Sequence, residues 1–301
     1  MIRSYILLLF CICCWGSNFV FGSMLVHEFA PMLLSALRLT ATSLCLLSYA
    51  WATSKLGKLA KRDWWLLIPL AVFGTLLNQI AFFTGLQTVD ATTAALILSL
   101  APLSIAMLAR IFLKEVFSLQ MAVGSVIAIA GVFFVVGKSG GIHISVGILF
   151  MFAAMITFAI SVIIMRKLTE RIDAFSATLY STVIGSGLVI PTALIKEPVH
   201  QVSPHLWAWL LLFASGIIMQ GLCSVIWNMQ LQRVGAGKAA IFLNLQPFVA
   251  MVVGYLLLGT AVTGTQIIGS LLIVGGVVLA TLQRRAKIDD IGRMGRSAGL
   301  K

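Results

Sequence analysis

LQTVDATTAALILSLAP (Leu86–Pro102) and LQRVGAGKAAIFLNLQP (Leu231–Pro247) align without a gap at a separation of 231 − 86 = 145 residues. Nine positions are identical: Leu86/Leu231, Gln87/Gln232, Val89/Val234, Ala91/Ala236, Ala94/Ala239, Ala95/Ala240, Leu98/Leu243, Leu100/Leu245 and Pro102/Pro247. The same register later pairs Gly124 with Gly269, Ser125 with Ser270 and Gly131 with Gly276. Apolar segments often match by chance. An ungapped run that keeps both prolines and two pairs of glycines reads as a duplication. The expected organisation is two homologous halves, 1–138 and 143–283, and a basic tail, 284–301.

Around this repeat the chain is poor in charge. It has 301 residues, 60% hydrophobic and 10% charged, with a mean hydropathy of +1.06. Soluble domains carry about 25% charged residues, so most of this surface must face lipid. Apolar runs of about 20 residues, enough to cross a bilayer core, are read at 5–24, 33–52, 64–85, 91–113, 118–137, 144–166, 174–194, 206–230, 236–258 and 263–283. Such runs do not alternate as barrel strands do. The expected fold is an all-α integral membrane protein of ten transmembrane helices, multi-pass in the plasma (inner) membrane.

The 21 Lys and Arg residues set the orientation. With the N-terminus inside, the inner loops and tail hold Arg3; Lys55, Lys58, Lys61 and Arg62; Arg110 and Lys114; Arg166, Lys167 and Arg171; Arg233 and Lys238; and six between Arg284 and Lys301, which sums to 18. The outer loops hold two, Lys138 and Lys196, and Arg38 lies within a helix. This asymmetry follows the positive-inside rule and places both termini in the cytoplasm. Because five helices per half is an odd number, the second half enters the membrane upside down. Inverted repeats of this kind support alternating access.

Other readings of the composition are weaker. A net charge of +12 comes from residues spread between apolar segments, so no nucleic-acid partner is expected. The N-terminal MIRSYILLLFCICCWGS resembles a signal peptide but runs on through NFVFGSMLV without a small-residue cleavage site, so a retained first helix is expected. The five cysteines all fall in apolar segments and read as packing residues. VGAGKAA (Val234–Ala240) lacks the spacing of a phosphate loop. No metal, cofactor, catalytic group or ATP drive is expected. A membrane enzyme would need an acid or His cluster within the helices.

The residues WGSNFV (Trp15–Val20), P…LSALRLTA (Pro31–Ala41), GLQTVDATTAALILSLAPL (Gly85–Leu103), LKE (Leu113–Glu115) and G…IAIAGV (Gly124–Val132) together resemble the EamA family of the drug/metabolite transporter superfamily. The second half repeats the pattern loosely, with LQRVGAGKAAIFLNLQP and GSLLIVGGV (Gly269–Val277). The resemblance covers residues 5–283 and implies ten helices around a central cavity that moves small polar metabolites, often outward. Two positions depart from symmetry: Thr260 matches Glu115, and Phe158 stands where the first half has Trp15.

Polar and aromatic side chains in helix interiors are the candidate cargo contacts, because unpaired amides are costly in lipid. They are Trp15, Ser17, Asn18, Asn78, Gln79, Ser99, Thr157, Ser161, Tyr180, Gln220, Trp227, Asn228, Asn244 and Gln246. Arg38 joins them. Three roles compete for it: snorkelling to Glu28 or Asp90, bonding the carbonyls of a neighbouring helix end, or receiving an anionic group of the cargo. Pro102 and Pro247 are candidate hinges, since a proline inside a helix removes a backbone bond. Gly124, Gly131, Gly269 and Gly276 read as close-packing faces. None of the nine acids falls in a helix middle, which favours a facilitator or exchanger over a proton antiporter. The reading is a carrier exporting an amino acid or related amphipathic compound. Its cargo would stack on Trp15, Tyr180 or Trp227. Sugar or nucleoside uptake is the alternative.

Overall fold

Helix is the only economical backbone for these runs, because a peptide group in lipid has no water to bond. The computed structural model describes residues 2–53, 57, 59–113, 119–138, 141–142, 145–196, 202–234, 242–276 and 278–279. The helices are α1 (Ile2–Leu25), α2 (Pro31–Thr53), α3 (Lys61–Leu86), α4 (Ala91–Leu98), α5 (Ala101–Leu113), α6 (Leu119–Val136), α7 (Val146–Leu168), α8 (Ala174–Lys196), α9 (Leu206–Val234), α10 (Gln246–Leu258) and α11 (Gly264–Gly276). Among the described residues the one departure is a two-residue antiparallel hairpin, Gly137–Lys138 with Gly141–Ile142. The fold is that of an all-helical membrane protein. Helices α1, α2, α3, α7, α8 and α9 are each long and apolar enough to cross a membrane. The tail 284–301 lies outside the described residues.

Local chemistry sets the helix ends. Asp90 caps α4 by accepting the Thr93 amide at 2.9 Å, and Ser145 caps α7 by accepting the Ile148 amide at 3.3 Å. Gly259, at φ 63°, closes α10 in the left-handed conformation that a residue without Cβ tolerates.

The 145-residue register extends to the secondary structure. Adding 145 to the start of α3 gives 206, the start of α9; adding it to the start of α5 gives 246, the start of α10. Both long helices change winding at matching places, with π turns at Val72–Leu77 in α3 and Gly216–Leu222 in α9. For the second helix the offset is 143: α8 starts 143 residues after α2. The second half takes up the two-residue difference between the starts of α8 and α9, which are 206 − 174 = 32 residues apart against 61 − 31 = 30 for α2 and α3.

Pro102 and Pro247 stand in the first turns of α5 and α10. One turn upstream of each, the ladder tightens in the same way: the Leu100 amide bonds Ile97 O at 3.1 Å, and the Leu245 amide bonds Phe242 O at 3.0 Å. A proline has no N–H for the i−4 carbonyl, and its ring crowds that carbonyl. The break before each proline follows.

Helices α6 and α11 cross through their glycines. A Cβ added to Gly131 would stand 2.8 Å from the Gly269 carbonyl oxygen, and one added to Gly276 would stand 2.5 Å from that of Gly124. Gly131 and Gly276 are 145 apart, as are Gly124 and Gly269. One pair of positions is thus used twice, in reciprocal contacts.

The two ends of the bundle are tied differently. At the Glu28 end, Phe19, Leu25, Phe29, Phe82, Phe83, Leu86, Met151 and Leu212, from α1, α3, α7, α9 and the loop after α1, form one apolar cluster. Glu28 accepts a hydrogen bond from Ser203 Oγ in the segment before α9, and Trp209 stacks edge-on against Phe29 at 5.1 Å. At the Lys61 end, Tyr180 OH donates to Gly57 O at 2.7 Å, Gly57 N donates to Ser176 Oγ at 3.2 Å, and Arg171 approaches Asp63 at 3.9 Å. At both ends, a loop or helix start of one half grips the segment between the second and third helices of the other.

Candidate functional site

Two cavities lie in the bundle and meet at Trp15 and Phe158, which line both. These two residues are 143 apart, so the departure noted in the sequence places unlike aromatic rings at matching positions of the two halves. The first cavity, of about 120 Å³, is walled by Trp15, Phe19, Phe82, Phe158, Asn18, Asn78, Gln79, Gln220 and Gln246 with a few aliphatic side chains. The second, of about 150 Å³, runs from Trp15 and Phe158 toward the Lys61 end. It is rich in hydroxyls: Thr75, Ser161, Thr178, Ser181, Thr182 and Ser224, with Trp227 and Asn228.

The first cavity is amide-lined and aromatic. Asn78 Nδ2 is engaged, donating to Ala154 O at 2.8 Å and Thr157 Oγ1 at 3.2 Å, and so ties α3 to α7. Among the described residues the buried Oε1 atoms of Gln79 and Gln220 have no partner. Trp15 donates Nε1 to Met219 O at 2.8 Å, inside the π turn of α9, and tilts against Trp227 with ring centres 5.1 Å apart. The π turn is pinned from α2 as well, since Thr42 Oγ1 donates to Gly216 O at 2.8 Å. A π turn misaligns the carbonyls of its helix, and here side chains of α1 and α2 take them up.

Arg38 is fully buried and lines neither cavity. Its Nη2 donates to Asn18 Oδ1 at 2.7 Å, and its guanidinium lies 5.1 Å from the centre of the Phe83 ring. Among the described residues its Nε and Nη1 have no partner. Of the three competing roles, snorkelling to Glu28 or Asp90 is not the arrangement seen: Glu28 is held by Ser203, and Asp90 by the Thr93 amide and, at 3.4 Å, Gln266 Nε2. The reason is direction. The side chain turns into the bundle, where Asn18 and Phe83 offer an acceptor and a π face.

The structure brings most of the candidates to the cavities. Trp15, Asn18, Asn78, Gln79 and Gln220 line the first, and Ser161, Trp227 and Asn228 line the second with Trp15. Besides Arg38, five others lie elsewhere. Ser17 and Thr157 bond carbonyls of their own helices, Cys13 O and Ala153 O, each at 2.8 Å. Tyr180 bonds Gly57 at the Lys61 end and packs against an apolar cluster with Leu67, Leu168 and Ala177, so it is not a cavity ring. Ser99 is buried and spends its hydroxyl on Leu96 O at 2.6 Å. Asn244 is buried, with no partner for either amide atom among the described residues, while its neighbours Leu243 and Gln246 reach the cavity. The sequence reading passed over Thr178, Ser181 and Thr182. Their three- and four-residue spacing along α8 was the available sign, since it puts them on one helix face.

Two comparisons agree with a membrane carrier, and a third gives the fold. The model of the EamA-like transporter family matches residues 2–137 and again 145–282. Among curated relatives, Uncharacterized transporter YyaM of Bacillus subtilis (strain 168) is 29% identical over 220 residues, 71% of this chain and 72% of the relative. Uncharacterized transporter YvbV of the same organism is 25% identical over 297 residues, 95% of this chain and 93% of the relative. One solved crystal structure superposes with a TM-score of 0.71 at 20% identity, covering 93% of this chain and 99% of the other.

Proposed function

The chain belongs to the EamA-like transporter family, and from that premise we propose that it carries a small metabolite across the inner membrane by alternating access, in the direction of export. Ten crossing helices, arranged as two inverted halves with both termini in the cytoplasm, form the carrier. Several observations support the inverted arrangement. They are the family match to each half in turn, the matching starts of α3 and α9, the paired π turns and the reciprocal glycine contacts. The excess of Lys and Arg on the Lys61 side supports its orientation.

The observation that carries the reading is the amide- and aromatic-lined cavity where the halves meet, with Trp15 and Phe158 at its floor. Aromatic walls bind an apolar body, and a few fixed amides orient a polar end. An amino acid or related amphipathic compound has both parts. The hydroxyl-rich chamber beyond Trp15 and Phe158 is a path toward the cytoplasm in this conformation. The same hydroxyls favour a second reading, sugar or nucleoside uptake. A substrate gradient supplies the drive in either case.

Counterflow of a labelled panel of amino acids, dipeptides, sugars and nucleosides in proteoliposomes tests both readings. Accumulation of an amino acid or dipeptide, lost in Gln220→Leu, supports the first. Accumulation restricted to sugars or nucleosides supports the second. A panel that does not move at all removes both.

A further inference from the structure

Arg38, Asn18 and Phe83 form a cluster whose counterparts in the second half look quite different. Adding 143 to Arg38 and Asn18 gives Ser181 and Ser161, and adding 145 to Phe83 gives Asn228. Those three line the chamber of about 150 Å³ on the Lys61 side. In one half, therefore, the same three positions are neutral and line a cavity, with two hydroxyls and one amide. In the other half they are filled by a guanidinium, an amide and a phenyl ring. Arg38 is fully buried there, with Nε and Nη1 unpartnered, and no ion pair of the described residues includes it. A buried cation with idle donors is costly unless something else satisfies it. Asn18 stands between it and the first cavity: its Oδ1 accepts from Arg38 while the residue lines the cavity wall.

We propose that Arg38 is a state-dependent anion subsite, closed off behind Asn18 while the chain opens toward the Lys61 side and exposed to a carboxylate when the Glu28 side opens. This rests on the inverted-halves reading above, because exchanging the halves' conformations turns the packed Arg38 region into the counterpart of the open chamber. The outer chamber then differs from the inner one by a full positive charge. A planar guanidinium with two free donor groups suits a carboxylate better than a neutral amide. The carrier consequently holds carboxylate-bearing cargo more tightly from the Glu28 side than from the Lys61 side.

Two measurements on the reconstituted full-length protein test this. In the first, phenylglyoxal modifies reachable arginines, and the peptide bearing Arg38 is quantified by mass spectrometry. Phenylacetate is the probe and phenylacetamide its neutral control. The expected result is that Arg38 reacts slowly in the protein alone and that phenylacetate slows it by a further factor of about ten, while phenylacetamide does not. Asn18→Asp, which gives the guanidinium a fixed carboxylate, protects without any probe. An Arg38 that never reacts, or that reacts equally under both probes, overturns the proposal. In the second, half-saturation for leucine and for leucinamide is measured from each side. Arg38→Gln removes the side-to-side difference for leucine and leaves leucinamide unchanged, and Arg38→Lys retains part of it. Equal changes for both compounds overturn the subsite. If phenylacetate protects Arg38 yet no amino acid moves, the cargo reading fails and the subsite stands. If amino acids move without protection, the reverse holds.

Discussion

Trp15 Nε1 and the carbonyl of Met219 meet at 2.8 Å inside the π turn of α9, so the first helix is fastened to the eighth expected span at the level of both cavities. Trp15→Phe keeps an aromatic ring against Trp227 but leaves that carbonyl without its donor. The expected loss is about 1–3 kcal/mol of stability, read as a lower thermal midpoint in detergent. Counterflow should fall with it, because the cavity floor loses its anchor.

The glycine crossing makes a paired prediction. Gly276→Ala and Gly131→Ala each drive a methyl group into a backbone carbonyl of the facing helix. A backbone atom cannot rotate away as a side chain can. Each substitution should cost about 1–3 kcal/mol through overpacking, and the two costs should be similar. Gly264→Ala, which meets open space, serves as the control and should leave the melting profile in place.

The two end clasps should differ in strength. Arg171 is 43% exposed beside Asp63, at 3.9 Å, and an ion pair that wet is worth about 0–1 kcal/mol. Arg171→Ala should therefore change little. Glu28→Gln weakens a charge-assisted bond to Ser203 at the closed end. A cysteine introduced at Val202, packed against the apolar cluster there, should then label faster with a membrane-impermeant maleimide applied from the Glu28 side.

Tyr180→Phe separates a clasp residue from a cargo residue. The variant loses the hydrogen bond to Gly57 O, at a cost of about 1 kcal/mol. Half-saturation for cargo should stay at the wild-type value, since the ring lines neither cavity. A rise in half-saturation with unchanged stability would return Tyr180 to the binding site.

The sequence made the helices legible because lipid leaves the backbone one choice, and a run of apolar residues states its own length. The repeat was legible for a similar reason: prolines and glycines act through the backbone and cannot be swapped freely. Side-chain destinations were less readable. Arg38 and Asn18 are 20 residues apart on different helices, and nothing local tells that one guanidinium arm will find that amide. Tyr180 looks like Trp227 in composition terms, yet a step along α8 carries it to the end of the bundle. Thr178 and Ser181 went unnoticed because each can bond a carbonyl of its own helix, Ala174 O at 2.7 Å and Thr178 O at 3.1 Å. Hydroxyls satisfied in this way place no demand on the bundle, whereas amides do. The π turns left no clear mark in the sequence, since glycines at 74, 216 and 221 also fit ordinary close packing.

Those π turns impose a rule on insertions and deletions. A π turn holds one residue more than the α-helix around it, and each residue of an α-helix advances the azimuth by about 100°. Deleting a single residue within Val72–Leu77 would let α3 rewind as continuous α-helix with nearly its original length. Because the wide turn spreads its extra residue over about the same sweep as an α turn, Asn78 and Gln79 would keep their facing, as would Ser224 and Trp227 beyond Gly216–Leu222. What would go is the displaced carbonyls: in α9 those of Gly216 and Met219 are the ones that Thr42 and Trp15 bond. The two irregular turns therefore act as sockets: a chain one residue shorter in Gly216–Leu222 would keep its helices and its cavity-facing side chains and lose the seats that fasten α1 and α2 to α9.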